Sequence, residues 1–140
     1  MADTLKQRPG PMRLIDASKY PLPVAAKLSI LHRVSGVVMF VLLPFVIWMF
    51  DTSVSSEVSF ETFASVFSSG VGFLPGWFVK LAALALIWSY LHHFCAGVRH
   101  LWMDATHSVT KEQGRSSAVV SFAVSLLLTV ALAAKLFGLF

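Results

Sequence analysis

Residues 116–134, SSAVVSFAVSLLLTVALAA, contain no charged side chain. Two more apolar stretches precede them: residues 34–50 are uncharged, and residues 81–98 are interrupted only by His92 and His93. A helix of about 20 mostly apolar residues crosses the hydrocarbon core of a bilayer, and it pairs its own backbone groups where lipid offers no partner. We therefore predict an all-α integral membrane fold with three transmembrane helices, over about residues 26–50, 76–103 and 116–139, the first of them kinked at Pro44.

The composition excludes several other classes of protein. Of the 140 residues, 56% are hydrophobic and 13% are charged, whereas soluble domains carry about 25% charged residues. The single cysteine, Cys95, excludes a disulfide within the chain and any metal site that needs several of its thiolates. No glycine-rich phosphate-binding loop is present, which argues against a nucleotide or flavin domain.

The distribution of basic residues predicts how the chain lies in the membrane. The segment before residue 28 contains five cations, namely Lys6, Arg8, Arg13, Lys19 and Lys27. Residues 51–74 contain none, and the next connection contains Lys111 and Arg115. The positive-inside rule then predicts a cytoplasmic N-terminus and a periplasmic C-terminus in a bacterial inner membrane. The basic excess is explained by this topology, and no basic patch with base-stacking residues indicates nucleic-acid binding.

Two connecting regions carry weaker signals. Residues 1–25 have four prolines and no apolar signal-peptide core, so we predict an extended cytoplasmic arm before an anchor that spans residues 26–140. In the Ser-rich stretch 51–74, Phe60, Phe63 and Phe67 have helical spacing. This spacing fits a short helix in the membrane interface, and an irregular loop is the alternative.

The first cluster of polar residues opens the first predicted helix. Ser29, His32, Arg33 and Gly36 recur at the spacing of one helical face. Ionisable groups within a membrane are costly and usually face a partner, a cavity or a cofactor, and Gly36 would allow a helix or a flat ligand to approach closely. Alternatively, His32 and Arg33 extend to the lipid headgroups.

The second cluster closes the second predicted helix, where four residues share one face: His93, Gly97, His100 and Asp104. Counting the helical rise from Asp104 places His93 about 16 Å deep and His100 about 6 Å deep, with His32 comparably shallow. A neutral imidazole at depth is a good metal ligand, and Gly97 leaves space for a porphyrin plane. A hydrogen bond from His93 to a neighbouring helix is the alternative. His92, rotated by about 100°, is expected to face another helix.

The stretch Ser29-Ile-Leu-His-Arg-Val-Ser-Gly36, followed by His93-Phe-Cys-Ala-Gly-Val-Arg-His-Leu-Trp-Met-Asp104, resembles the family of cytochrome b membrane anchors of succinate dehydrogenase, complex II. The likeness runs from Arg8 to Ser116. It implies a three-helix anchor that forms half of a heterodimeric haem-binding bundle with a second hydrophobic anchor subunit. It also implies an iron–sulfur subunit and a flavoprotein subunit docked on the cytoplasmic face.

The resemblance further implies site residues. His93 would be one axial ligand of haem b, Ser29 and Arg33 would line the ubiquinone pocket, and His32 and Arg33 would lie near the haem propionates. The depths counted above agree, since they put His32, Arg33 and His100 where propionates would point. By the same count His32 and His100 lie about 10 Å too shallow to share an iron with His93, so the second ligand is expected from another chain.

Three other functions remain open at this point. The anchor subunit of a quinol:fumarate reductase would run the same chemistry in reverse. A purely structural anchor without haem would use both polar clusters for helix packing and subunit docking. A small proton or ion pathway could be built on His32, Arg33 and His100, although the third predicted helix lacks a continuous polar face.

Overall fold

A computed structural model describes residues 10–11 and 13–139, and its regular elements over that part of the chain are helices. In chain order they are α1 (Leu14–Lys19), α2 (Val24–Val41), α3 (Leu43–Val54), α4 (Glu57–Ser69), α5 (Gly76–Thr106) and α6 (Lys111–Leu136). Helices α2, α5 and α6 are long and apolar enough to cross a membrane. The prediction of an all-α membrane fold with three spans is confirmed.

The first span is divided near Pro44, and it is not one kinked helix over residues 26–50. Helix α2 ends at Val41 and α3 begins at Leu43, with Pro44 in its first turn. Proline has no N–H to donate to the carbonyl four residues earlier, and its ring crowds that carbonyl. Hydrogen bonding resumes at once, because the Val46 N–H donates to the Leu42 carbonyl over 3.0 Å. The chain therefore remains helical until Val54.

The N-terminal arm is not extended throughout, since α1 forms a short helix within it. The side chain of Arg13 donates to Asp16 over 3.3 Å at the start of this helix. Residues 1–9 and residue 12 of the predicted arm lie outside the described residues.

The connection after the first span contains a helix and not an irregular loop. Ser56 and Ser59 form a capping box at the start of α4, which satisfies N–H groups that have no partner within the helix. The predicted aromatic stripe is formed, with the rings of Phe63 and Phe67 edge to face at 5.3 Å. Helix α4 packs against α3 and α5, and Val66 is its buried residue.

A tight turn at Gly70 joins α4 to α5. Gly70 has φ +91°, and a Cβ there would overlap the Leu74 carbonyl oxygen, so only glycine fits. Val71 and Leu74 exchange two backbone hydrogen bonds of 2.9 Å across this turn. Pro75 then precedes the first residue of α5.

Helix α5 is the centre of the fold and packs against both α2 and α6. It has 31 residues, which corresponds to about 46 Å of helix and exceeds the hydrocarbon thickness of about 30 Å. The side chains of Leu28, Ala96 and Ala118 are fully buried where α2, α5 and α6 meet.

Helix α6 packs on α5 through small side chains. Five of them recur along one face of α6, at Gly114, Ala118, Ser121, Ser125 and Thr129. All but Gly114 are buried, and small residues let two membrane helices approach closely.

Candidate functional site

Three imidazoles lie together in the seam between α2 and α5. The rings of His32 and His93 are stacked, with centroids 4.0 Å apart and planes 22° from parallel. The His100 ring is tilted against His32 at a centroid distance of 5.4 Å. His32 from α2 thus lies between two histidines of α5, and the structure brings all three predicted histidines into one site.

The contact between His32 and His93 corrects the depth predicted for His32. Counting from the ends of the predicted helices made His32 about as shallow as His100, but its ring lies against His93. Helix α2 begins at Val24, so His32 is eight residues, or about 12 Å, along it. Residue counts taken from two different helices give a common level only when their ends lie at the same height.

The hydrogen bonds of His93 define which ring nitrogen is free. Its Nδ1 lies 3.1 Å from the backbone carbonyl oxygen of His32 and 3.3 Å from Ser35 Oγ. The Ser35 hydroxyl already donates to the same His32 carbonyl over 2.8 Å, so towards Nδ1 it can only accept. Both partners therefore require a proton on Nδ1, which leaves the lone pair of Nε2 available.

Glycines on both helices accommodate the stacked rings. A Cβ at Gly36 would lie 3.2 Å from His93 Cε1, which is tighter than ordinary contact, whereas a Cβ at Gly97 would lie 3.8 Å from His32 Nε2. Gly97 therefore faces His32 in this chain. His32 Nε2 is buried and has no hydrogen-bond partner among the described residues. An acceptor could satisfy this nitrogen if it carries the proton, and a donor could do so if it does not.

Ser29 and Arg33 lie one turn apart on α2 but differ in exposure. Ser29 is half-buried, and Arg33 is exposed on the surface of the helix. Within residues 13–139, neither side chain makes a hydrogen bond or an ion pair. Both are therefore free to bind a group from outside the chain, although the imidazole seam does not include them.

Sequence reasoning missed Ser35, which is fully buried and contacts His93. The only sequence signal for Ser35 is its position three residues after His32. That position does not show which side chain of α5 the serine contacts. Arg99 was also missed. It is 8% exposed, and it donates from Nε to Ser117 Oγ over 2.9 Å and from Nη2 to the Gly114 carbonyl over 3.1 Å.

His92 faces α6, as expected from its rotation relative to His93. The side chain is 1% exposed, and its Nδ1 lies 3.5 Å from Ser125 Oγ. The rings of Trp88 and Phe122 enclose it, at centroid distances of 5.5 Å and 5.4 Å. His92 thus belongs to the packing of α5 on α6 and lies apart from the imidazole seam.

Over the described part of the chain, no group of three or more His, Cys, Asp or Glu side chains could hold a metal ion. A single imidazole with an available Nε2 suits a metal that brings most of its own ligands, as in a tetrapyrrole. The backbone carbonyl that fixes the His93 tautomer is a common partner of metal-binding histidines.

Comparison with known proteins places the chain in a family. The family model described as "Succinate dehydrogenase/Fumarate reductase transmembrane subunit" matches residues 6–132. A succinate dehydrogenase cytochrome b556 subunit from Coxiella burnetii is 34% identical over 116 residues, which cover 83% of this chain and 88% of the relative. The subunit of the same name from Paracoccus denitrificans is 30% identical over 111 residues, which cover 79% and 80%. The chain therefore belongs to the succinate dehydrogenase/fumarate reductase transmembrane-subunit family, as a membrane anchor of the succinate dehydrogenase cytochrome b type.

Proposed function

We propose that this anchor binds haem b together with a second anchor subunit and contributes to the ubiquinone-reduction site of succinate:ubiquinone oxidoreductase. As a membrane subunit of succinate dehydrogenase, it acts with the other subunits of that complex. The observation that carries the proposal is the hydrogen bonding of His93, whose Nδ1–H is held by the His32 carbonyl and whose Nε2 is left free.

The residues of the seam fit a haem. His93 Nε2 would be one axial ligand, and the carbonyl acceptor on Nδ1 orients the ring and increases its basicity. Haem b, when bound, supplies a one-electron carrier. The name of the relatives, cytochrome b556, agrees with this cofactor.

The second axial ligand would come from the partner anchor. His32 is stacked on His93, and two parallel imidazoles in contact cannot both point at one iron between them. His100 is seven residues from His93 on the same helix, or about 10 Å along it. Neither His32 nor His100 would therefore share the iron with His93.

The propionates of the haem would meet His32, Arg33 and His100. His32 Nε2 has no hydrogen-bond partner among the described residues. If this nitrogen carries a proton, it would donate a hydrogen bond to a propionate carboxylate. Arg33 is exposed on α2, and a guanidinium stays charged and binds carboxylates through two parallel hydrogen bonds.

Ubiquinone would bind near Ser29 and Arg33. Quinone reduction adds two electrons and two protons, and negative charge develops on the carbonyl oxygens before protonation is complete. The Ser29 hydroxyl can donate to one such oxygen, and the Arg33 cation stabilises the charge where the dielectric constant is low. Both side chains lack partners within residues 13–139, so neither has to break an internal bond to do this.

The orientation follows the distribution of cations, with the start of α2 and the α5–α6 turn facing the cytoplasm. Electrons would then arrive from a cytoplasmic iron–sulfur subunit, itself supplied by a flavoprotein subunit. Residues 1–25 would form the cytoplasmic arm, and the inner membrane of a bacterium is the proposed location. The family description covers both directions of the reaction, and the names of the relatives favour succinate oxidation.

The haem assignment is tested with His93→Ala in the assembled complex. We expect the dithionite-reduced minus oxidised b-type spectrum to be lost, because the His32 carbonyl holds the His93 Nδ1–H and leaves Nε2 of that ring to bind the iron. His107→Asn is the matched control, since His107 caps α5 outside the seam with φ +55° and asparagine tolerates that conformation. An unchanged spectrum in His93→Ala would refute the assignment. Full quinone activity of the normal complex without haem absorbance would favour a purely structural anchor.

The quinone assignment is tested with Arg33→Leu, with Arg33→Lys retaining the charge. Succinate oxidation with a soluble dye should persist, while electron transfer to ubiquinone should fall in the leucine variant and less in the lysine variant. Loss of both activities together would indicate failed assembly. Normal quinone reduction in a fully assembled leucine variant would contradict the role of Arg33.

A further inference from the structure

A groove between α5 and α6 lies on the opposite side of α5 from His93. Its volume is about 610 Å³. On the helical wheel of α5, groove residues such as Val98 and Trp102 are rotated by about 140–180° from His93. The groove therefore shares no residue with the imidazole seam or with Ser29 and Arg33.

The lining of the groove changes from polar to apolar along its length. Ser108, Gln113 and Ser116 line the end near the α5–α6 turn, whereas Phe94 and Val124 line the far end. From residue 113 to residue 124, helix α6 rises about 16 Å, which is half the hydrocarbon thickness of about 30 Å. With the α5–α6 turn at the cytoplasmic surface, as proposed above, the groove would run from the headgroup level to the middle of the bilayer and would match the polarity gradient of one lipid leaflet.

Arg99 supplies a buried cation in the wall of this groove. The side chain is 8% exposed, and among residues 10–11 and 13–139 no carboxylate lies within ion-pair distance of it. Its bonds to Ser117 and Gly114 use two of its five N–H donors. No nitrogen of Arg99 is both buried and without a partner, and the side chain is part of the groove lining.

We propose that a phospholipid occupies this groove, with its phosphate bound by Arg99 and one acyl chain lying along the apolar end. A charge within a membrane pairs with another charge or with backbone carbonyls; Arg99 has the Gly114 carbonyl, and the described part of this chain provides no carboxylate for it. A guanidinium binds phosphate through two parallel hydrogen bonds. Lys111 and Arg115 lie in the first turns of α6 together with the single carboxylate of Glu112, and the N-terminal dipole of that helix also favours an anion at this end.

The test uses native mass spectrometry of the purified, delipidated succinate dehydrogenase complex. The probes are phosphatidylglycerol and a diacylglycerol with the same acyl chains, which lacks the phosphate. We expect phosphatidylglycerol to bind about tenfold more tightly, which is the lower end of what a hydrogen bond to a charged group contributes. Equal binding of the two lipids would overturn the proposal.

Two variants of adjacent residues on α6 locate the binding. Val120 lines the groove and Val119 does not, and both are exposed. Val120→Phe should fill the groove and weaken phosphatidylglycerol binding about tenfold, with Val119→Phe unchanged. Equal lipid binding by the two variants would overturn the proposal. Displacement of the lipid by a short-chain ubiquinone would also overturn it, because the groove would then be a quinone site. Because the groove and the seam share no residue, the haem spectrum of both variants reports independently on the proposed function.

Discussion

Gly36→Ala should loosen His93 by adding a single methyl group to the neighbouring helix. The new Cβ would lie 3.2 Å from His93 Cε1 and 3.5 Å from Nδ1, closer at Cε1 than the roughly 3.5–4.0 Å at which carbon atoms contact favourably. The ring cannot simply retreat, because His32 is stacked on it at 4.0 Å and the His32 carbonyl holds its Nδ1. Either α2 moves by a few tenths of an ångström or the hydrogen bond to Nδ1 stretches.

The size of the effect follows from two opposing contributions. Overpacking a well-filled site costs about 1–3 kcal/mol, while replacing glycine by alanine inside a helix stabilises it by about 0.5–1 kcal/mol. The net cost of keeping His93 in its present position is therefore about 0–2.5 kcal/mol, and its middle value of about 1 kcal/mol corresponds to a factor of about 5 in an equilibrium constant. We expect haem affinity, or the fraction of complex with an intact axial bond, to fall by this factor.

The assay is the reduced minus oxidised spectrum per mole of purified complex, followed by exposure of the reduced complex to carbon monoxide. A displaced axial ligand opens the iron, so Gly36→Ala should lose haem or react with carbon monoxide. Gly114→Ala is the matched control, because no atom lies within 4 Å of its added Cβ. If Gly36→Ala assembles with full haem content and the same carbon monoxide response as Gly114→Ala, the tight contact with His93 does not exist and the reasoning fails.

Three further predictions address other parts of the chain. In Gly97→Ala the added Cβ would lie 3.8 Å from His32 Nε2, which is an ordinary contact, so the chain should tolerate this substitution. A loss of haem absorbance would contradict this and would indicate that the porphyrin lies over Gly97. Arg99→Leu should lower the free energy of unfolding by about 1–3 kcal/mol, because two charge-assisted hydrogen bonds between α5 and α6 are lost. Arg99→Lys should lower it less. Equal melting temperatures for the unchanged complex and both variants would contradict this prediction. In a Cys95→Ser background, an impermeant maleimide applied to intact spheroplasts should label Glu61→Cys and not Lys111→Cys, and the reverse pattern would invert the proposed topology.

The membrane spans could be predicted from the sequence because their length is set by the bilayer. Residues 116–134 had to be helical at any position in the fold, since lipid leaves the backbone no other partner, and α6 covers them. The interruption near Pro44 was predicted as a kink. The sequence shows that proline removes one N–H donor, but it does not show whether the helix bends there or ends and begins again. The helix α4 could not be distinguished from a loop by three phenylalanines, since its start depends on the Ser56–Ser59 capping box.

The imidazole seam was predictable only in part. The helical spacing of His93, Gly97 and His100 gave the correct face of α5, because that spacing is a property of one helix. The level of His32 relative to His93 was wrong, because it depends on how two antiparallel helices are shifted along each other. Ser35 was missed for the same reason, since its role is defined by a contact across the seam.

The orientation of His93 depends on the backbone of α2 more than on any side chain. Its Nδ1 is held by the His32 carbonyl, so His32→Ala would remove the stacked ring and leave the acceptor in place. Ser35 supplies only the longer of the two contacts to Nδ1, at 3.3 Å. His92 is instead enclosed by aromatic side chains and meets Ser125. The orientation of His93 Nε2 therefore depends on the distance between α2 and α5. For this reason, adding one methyl group at Gly36 should disturb the orientation of the ring more than removing a neighbouring polar side chain.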